Sequence, residues 1–242
     1  MGKVQGVKEK LHFPIYDAFF VKGRPSPEQP RSDTNKPQTF MEAMTDPRMI
    51  RFFVDVQNKT RLETNLQASG VLPSLNTFEA RAMRVVVSAI CSIANQLNRQ
   101  KLLEMARTYS GSAKDQTAEN QFIDLIQTEC NRVCSGCSLV LSELIYNSVT
   151  TLLVGEKTMI EMPTYFFPSG AGVHSGSSVI SNHGEPDPMA TFRFAEPVII
   201  EPQQNFRVEM LFPQGVPKAL SQVEGVFRIW VVLDGYLTRD VQ

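Results

Sequence analysis

The sequence predicts a mainly β protein: a jelly-roll-like antiparallel β-sandwich with an N-terminal arm and a helical insertion. Three observations point there. Short stretches of the second half alternate apolar and polar residues at the two-residue period of a half-buried strand. Turns rich in Gly, Pro and Asn separate those stretches. Helical periodicity is confined to one internal stretch, so strands do not alternate with helices as a parallel α/β sheet requires. With 242 residues, 42% of them hydrophobic and 20% charged, the chain has ordinary globular composition and can fill one large core.

Residues 1–48 read as an extended arm. Lys22-Gly23-Arg24-Pro25-Ser26-Pro27-Glu28-Gln29-Pro30-Arg31 is too rich in proline for a helix or a central strand. The flanking pieces Phe13-Pro14-Ile15-Tyr16 and Ala18-Phe19-Phe20-Val21 are too apolar for a free tail, so the arm is expected to dock on its own domain or a neighbour. Residues 49–242 read as the β domain. Over Arg51–Gln57, Phe52, Val54 and Val56 alternate with Phe53, Asp55 and Gln57, which predicts a half-buried strand closed by a turn at Asn58-Lys59-Thr60. Ser69–Ser74 is a further break. Phe78–Ala89 is ambiguous, because Val85-Val86-Val87 favours a strand whereas Glu79, Ala80, Arg81, Ala82 and Met83 favour a helix.

Helical spacing then takes over across the insertion, about 92–134. Ile93, Leu97, Leu102 and Met105 mark one helix, and Phe122, Leu125, Ile126 and Val133 a second. Strand texture returns with Ser138–Leu141 and Val149–Val154. Gly155-Glu156-Lys157 leads into Thr158–Met162 as a hairpin. A Gly-, Ser- and Pro-rich loop spans 168–188. The last third predicts strands through Phe192 and Phe194 to Pro202, through Phe206, Val208, Met210 and Phe212 after a turn at Gln203-Gln204-Asn205, and through Phe227, Ile229, Val231 and Leu233 to a stop at Asp234-Gly235.

The formal net charge of −1 argues against a wholesale basic surface for nucleic acid. Contact with nucleic acid through Arg81 and Arg84, or Lys3, Lys8 and Lys10, is possible but not indicated, since these cations are scattered in sequence and poorly interleaved with aromatics. No stretch reaches the ~20 apolar residues of a membrane span. The start, Met1–Phe13, lacks the apolar run of a secretory signal, and Gly6 breaks a myristoylation pattern. Reduced thiols are therefore expected, and the sequon Asn58-Lys59-Thr60 carries no weight.

Cys130-x3-Cys134-x2-Cys137 is the motif with the most chemical content. Three thiolates at this spacing resemble the cluster-binding loop of radical SAM enzymes, but Gly136 stands where that family carries an aromatic residue. The spacing i, i+4, i+7 also places the three on one helical face, where free cysteine is a small buried hydrophobe. A structural zinc would need Cys91, His12, His174 or His183 as a fourth ligand. The loop Ser169–Gly176 is not a dinucleotide fingerprint, and no helix pattern follows it. His174 beside Ser175, and His183 near Glu185 and Asp187, lack a rigid orienting group. Asp124, Glu129, Glu196 and Glu201 read as solvated rather than as a paired acid and base. No catalytic, cofactor-binding or metal set is assigned, and no cofactor is expected.

Several segments together resemble small bacteriophage jelly-roll virion proteins. They are Thr64-Asn65-Leu66, Gly70-Val71-Leu72-Pro73 and Phe78, then Gly155-Glu156-Lys157 and the Gly-rich loop, then Ile199-Ile200-Glu201-Pro202-x3-Phe206-x-Val208 and Val231-Val232-Leu233-Asp234-Gly235-x3-Arg239. The likeness spans about 64–242 and implies a non-enzymatic capsid subunit that self-assembles through sheet edges and its arm. Homo-oligomers and other virion proteins would be its partners, and assembly would occur in the host cytoplasm. Two further readings stand beside it: a β-sandwich ligand- or receptor-binding module of a phage appendage, and a metal or iron–sulfur protein built on the cysteine triplet.

Overall fold

The structure, a computed structural model, describes residues 8–21, 39–91, 142–171, 187–221 and 225–240. Among the described residues nine strands run in chain order as β1 (Lys8–His12), β2 (Ile15–Val21), β3 (Met49–Phe52), β4 (Thr77–Cys91), β5 (Val149–Val154), β6 (Lys157–Pro163), β7 (Phe192–Ile200), β8 (Phe206–Leu211) and β9 (Gly225–Asp240). Short helices α1 (Phe40–Ala43), α2 (covering 142–146) and α3 (Lys218–Ser221) lie in the connections.

The strands form two antiparallel sheets. In the first, β9 lies between β4 and an edge row made of β1 and β2 end to end, and β7 pairs the far side of β4. The second has the order β3-β8-β5-β6. Apart from the β5–β6 hairpin and the β1/β2 row, each successive strand crosses to the other sheet. That interleaving is the jelly roll, so the mainly β, jelly-roll-like antiparallel sandwich read from the sequence is observed.

Alternation explains the core. Phe227, Ile229, Val231 and Leu233 of β9 face inward beside Phe78, Ala80, Met83 and Val85 of β4, and are buried against Phe206, Val208, Met210 and Leu152 of the second sheet. Phe40 closes one end edge-on to Phe19, Phe212 and Phe227, with centroids 5.5, 6.4 and 5.4 Å away. Each such buried large side chain contributes about 1.5–3 kcal/mol. At the other end, Gly155 (φ 60°) turns the β5–β6 hairpin, and its N–H donates to Asn205 O at 2.6 Å.

Four readings change or sharpen. Residues 8–21, read as arm, are strands of the first sheet, because Ile15 and Val21 gain full burial by pairing with β9. This part of the arm docks on its own domain. The strand expected over Arg51–Gln57 stops at Phe52: Phe53 takes φ 67°, its ring turns inward against Phe206, and Val54 is left exposed. Phe78–Ala89 is strand throughout, since β4 pairs β9 along its whole length and local helix propensity loses to the ladder. β9 does not stop at Asp234-Gly235 but continues to Asp240, pairing β1 and the start of β4. The expected helical insertion 92–134 and the strand Ser138–Leu141 lie outside the described residues.

Around Pro14 and Tyr16 the free side of the β1/β2 row is met by the β3–β4 connection. The Asn65 side chain accepts from Tyr16 N–H (3.0 Å) and donates to Pro14 O (2.8 Å), while the Thr64 hydroxyl donates to Tyr16 O (3.0 Å). These bonds occupy strand groups that would otherwise be open to another chain. Among the described residues, no helix is long and apolar enough to cross a membrane.

Candidate functional site

The outer face of the first sheet carries a cleft of about 850 Å³, walled on one side by Gly170, Asp187, Pro188 and Thr191. Its floor crosses every row of the sheet: His12 from β1, Asp234 and Tyr236 from β9, Arg81 and Arg84 from β4, Arg193 from β7. Three inter-strand steps make the floor roughly 15 Å long.

A β-bulge makes this face basic. Arg81 and Arg84 are three apart, so on a regular strand they would point to opposite faces. Register with β9 slips between Ala80 and Ala82, where β4 holds one extra residue. The slip lets Phe78, Ala80, Met83 and Val85 all face the core while both arginines face out. Opposite the bulge stands Gly235, where a Cβ would lie 2.1 Å from Glu79 O. Only glycine permits the two strands to approach this closely.

The charges are arranged in pairs that leave a surplus. Arg84 forks onto Asp234 at 2.6 and 2.9 Å and donates to Ser169 O at 3.3 Å. Glu79 accepts from Lys10 Nζ at 2.5 Å and from two nitrogens of Arg81 at 2.8 and 2.5 Å. The bonds from Lys10 and then Arg81 hold its carboxyl below the ordinary glutamate range. One carboxylate thus serves two cations. Lys10 and Arg81 also lie over the Tyr236 ring, 4.9 and 5.0 Å from its centroid, and His12 is tilted against that ring at 5.7 Å. Asp187 accepts from Met189 N–H at 2.8 Å. Arg193 donates to Pro188 O at 3.2 Å and, among the described residues, forms no ion pair.

The structure brings together Lys10, Arg81 and Arg84, which are scattered in sequence, and adds Arg193, His12 and Tyr236. Lys8 stays exposed on β1, and Lys3 lies outside the described residues. So do Cys130, Cys134, Cys137, His174, His183, Asp124 and Glu129; of Cys91, only the backbone at the end of β4 is described. Gly170 lines the cleft and Ser169 O accepts from Arg84, while the motif beyond Ala171 lies outside the described residues. Glu196 is exposed on β7, and Glu201 follows that strand in the turn closed by Gln204 N–H to Glu201 O at 3.1 Å. Among the described residues no group of His, Cys, Asp and Glu is placed to hold a metal ion.

A second surface feature sits at the end of the sandwich where β5 begins and β6 ends. Tyr146, Tyr165 and Phe166 stack in a row, with centroids 5.8 and 4.7 Å apart, and are 70%, 49% and 46% exposed. Beneath them the buried hydroxyls of Ser148, Thr150 and Thr164 are hydrogen-bonded to one another at 2.6 and 2.8 Å, which fixes the turn carrying Tyr165 and Phe166. Comparison with protein-family models, characterised proteins and solved structures finds no match to this chain.

Proposed function

We propose that the chain is a structural subunit of a virion shell, a capsid protein that self-assembles without chemistry in the host cytoplasm. The observation that carries the reading is the strand order, β1/β2-β9-β4-β7 facing β3-β8-β5-β6, an architecture used by viral capsid domains. This is support by analogy of fold, joined to the resemblance of the turn motifs to small phage virion proteins. The stacked, exposed aromatic row adds a physical reason for association, since solvent-facing rings held on a rigid turn mark a contact surface. The first-sheet cleft favours a second reading, a β-sandwich binding module of a phage appendage.

Sedimentation of the purified chain, with negative-stain imaging of the same sample, separates the two. Large, regular particles support the shell. A monomer or small oligomer at every concentration and salt condition sinks it and leaves the binding module.

A further inference from the structure

We propose that the cleft on the outer face of the first sheet binds single-stranded nucleic acid through its phosphate backbone. The inference rests on the cleft itself and stands whether or not the chain assembles.

The charge arrangement selects an anion. Asp234 is spent on Arg84, Glu79 is shared by Lys10 and Arg81, and Asp187 is engaged by Met189 N–H. Asp187 keeps its charge, so among the described residues four cations, Lys10, Arg81, Arg84 and Arg193, face three carboxylates, Glu79, Asp187 and Asp234, and the cleft keeps one positive charge in surplus. Arg193 meets a carbonyl and no acid among the described residues, so its charge is open to a ligand, and the Lys10–Arg81 pair holds one charge more than Glu79 cancels.

The shape selects an extended anion. Cations are set from β1 to β7 along a floor of roughly 15 Å, which suits a few successive phosphates better than one. The chemistry of the walls then selects the class. Guanidinium groups match phosphate oxygens, and His12 and Tyr236 lie among the cations, as a surface that meets both backbone and bases requires. An acidic peptide would look for backbone partners. The floor here is the face of a sheet whose N–H and C=O groups are consumed in the β4–β9 and β1–β9 ladders, and it offers a peptide backbone none.

Anisotropy of a fluorescent oligothymidylate, titrated with the full chain between about 50 and about 200 mM salt, tests the assignment. Saturable binding is expected, with a log–log salt slope of about −1.4 to −2 for two or three phosphates. Arg193→Glu is expected to weaken binding about tenfold and to flatten the slope by nearly one. Arg48→Glu, a reversal at an exposed residue outside the cleft, is expected to leave binding unchanged. Melting temperatures of both variants should match the parent, because neither residue is in the core. Equal weakening by the two reversals would reduce the effect to overall charge and overturn the site. Competition by polyglutamate as strong as by unlabelled oligothymidylate would reassign the cleft to acidic peptide. Full displacement by inorganic phosphate at matched phosphate concentration would reduce it to a single-ion site, and no binding at the lowest salt would remove it.

Discussion

At the scale of single residues, the most consequential group in the core is a carboxylate. Asp17 is fully buried on the inward face of β2, accepts Phe53 N–H at 2.6 Å, and is held by Lys59 Nζ at 2.9 and 2.8 Å. One side chain thus ties the first sheet to the loop where β3 ends, and helps offset the about 1–2 kcal/mol that a left-handed Phe53 costs. Burial pushes the Asp17 carboxyl above its ordinary range, and the charge and hydrogen bond of Lys59 pull it partly back. Because the folded state holds this proton more tightly than the unfolded chain, Asp17's contribution is fully present below the unfolded value of 3.8 and falls as pH rises through the raised folded value. Lys59→Met removes the opposing pull and leaves the acid in an apolar site. It is expected to cost about 3–5 kcal/mol near neutral pH and to regain part of that at acidic pH, as the carboxyl is protonated. Urea midpoints at the two pH values check this. Equal pH dependence in variant and parent would show that Lys59 does not govern Asp17. Nothing in the sequence marked this pair. Asp17 sits between two apolar runs, and its partner is 42 residues away in a predicted turn.

At the scale of elements, the β4–β9 ribbon decides both the core and the cleft. Phe227, Ile229, Val231 and Leu233 were legible as one face because a regular strand keeps its two-residue period. The cleft was not legible, because its bulge breaks that period between Ala80 and Ala82 and resets which residues point outward. A lone Gly after Asp234 looks like a stop signal. Only the facing strand shows that Gly235 is there to admit Glu79 O. Gly235→Ala is therefore expected to force the ribbon apart and cost about 1–3 kcal/mol through overpacking, whereas Gly155→Ala, with nothing within 4 Å of its Cβ, carries only the strain of its φ of +60°. Thermal melting of the two variants checks the order, and a smaller loss at Gly235 would mean that the bulge relaxes freely. The short α1 makes a parallel case. Thr39 and Glu42 cap it reciprocally at 3.3 and 2.9 Å, and the cap holds Phe40 in the aromatic cluster at the sandwich end. Thr39→Ala is expected to cost about 1 kcal/mol, also read from the melting temperature. A loss at least as large as that from Phe40→Ala, expected at about 3–5 kcal/mol, would mean that the cap rather than the ring anchors this end.

At the scale of the whole molecule, the distribution of closed and open surface indicates where copies of the chain would meet. Pairing along the β1/β2 edge is opposed, since Thr64 and Asn65 already occupy the backbone groups around Tyr16. The opposite edge of the first sheet is also poor, because β7 carries Pro197 inside an irregular stretch where its register to β4 jumps from Val198 to Arg193. Strand addition is thus opposed around Tyr16 on one edge of the first sheet and at Pro197 on the other, which favours association through other surface. The row Tyr146, Tyr165 and Phe166 has the required properties: it is exposed, apolar and held rigidly by the hydroxyls of Ser148, Thr150 and Thr164. Stacked rings of this size bury large area at little entropic cost when a partner covers them. The double change Tyr146→Ser and Tyr165→Ser is therefore expected to lower the assembled fraction at least tenfold, equivalent to the loss of about 1.4 kcal/mol per contact, while the melting temperature of the dissociated chain stays within a few degrees. Sedimentation of parent and variant at matched concentration provides the comparison. If particles form equally well without the two rings, subunits meet elsewhere and the row serves only its own turn. If the dissociated chain melts early, the rings support the fold, and their exposure does not mark a contact.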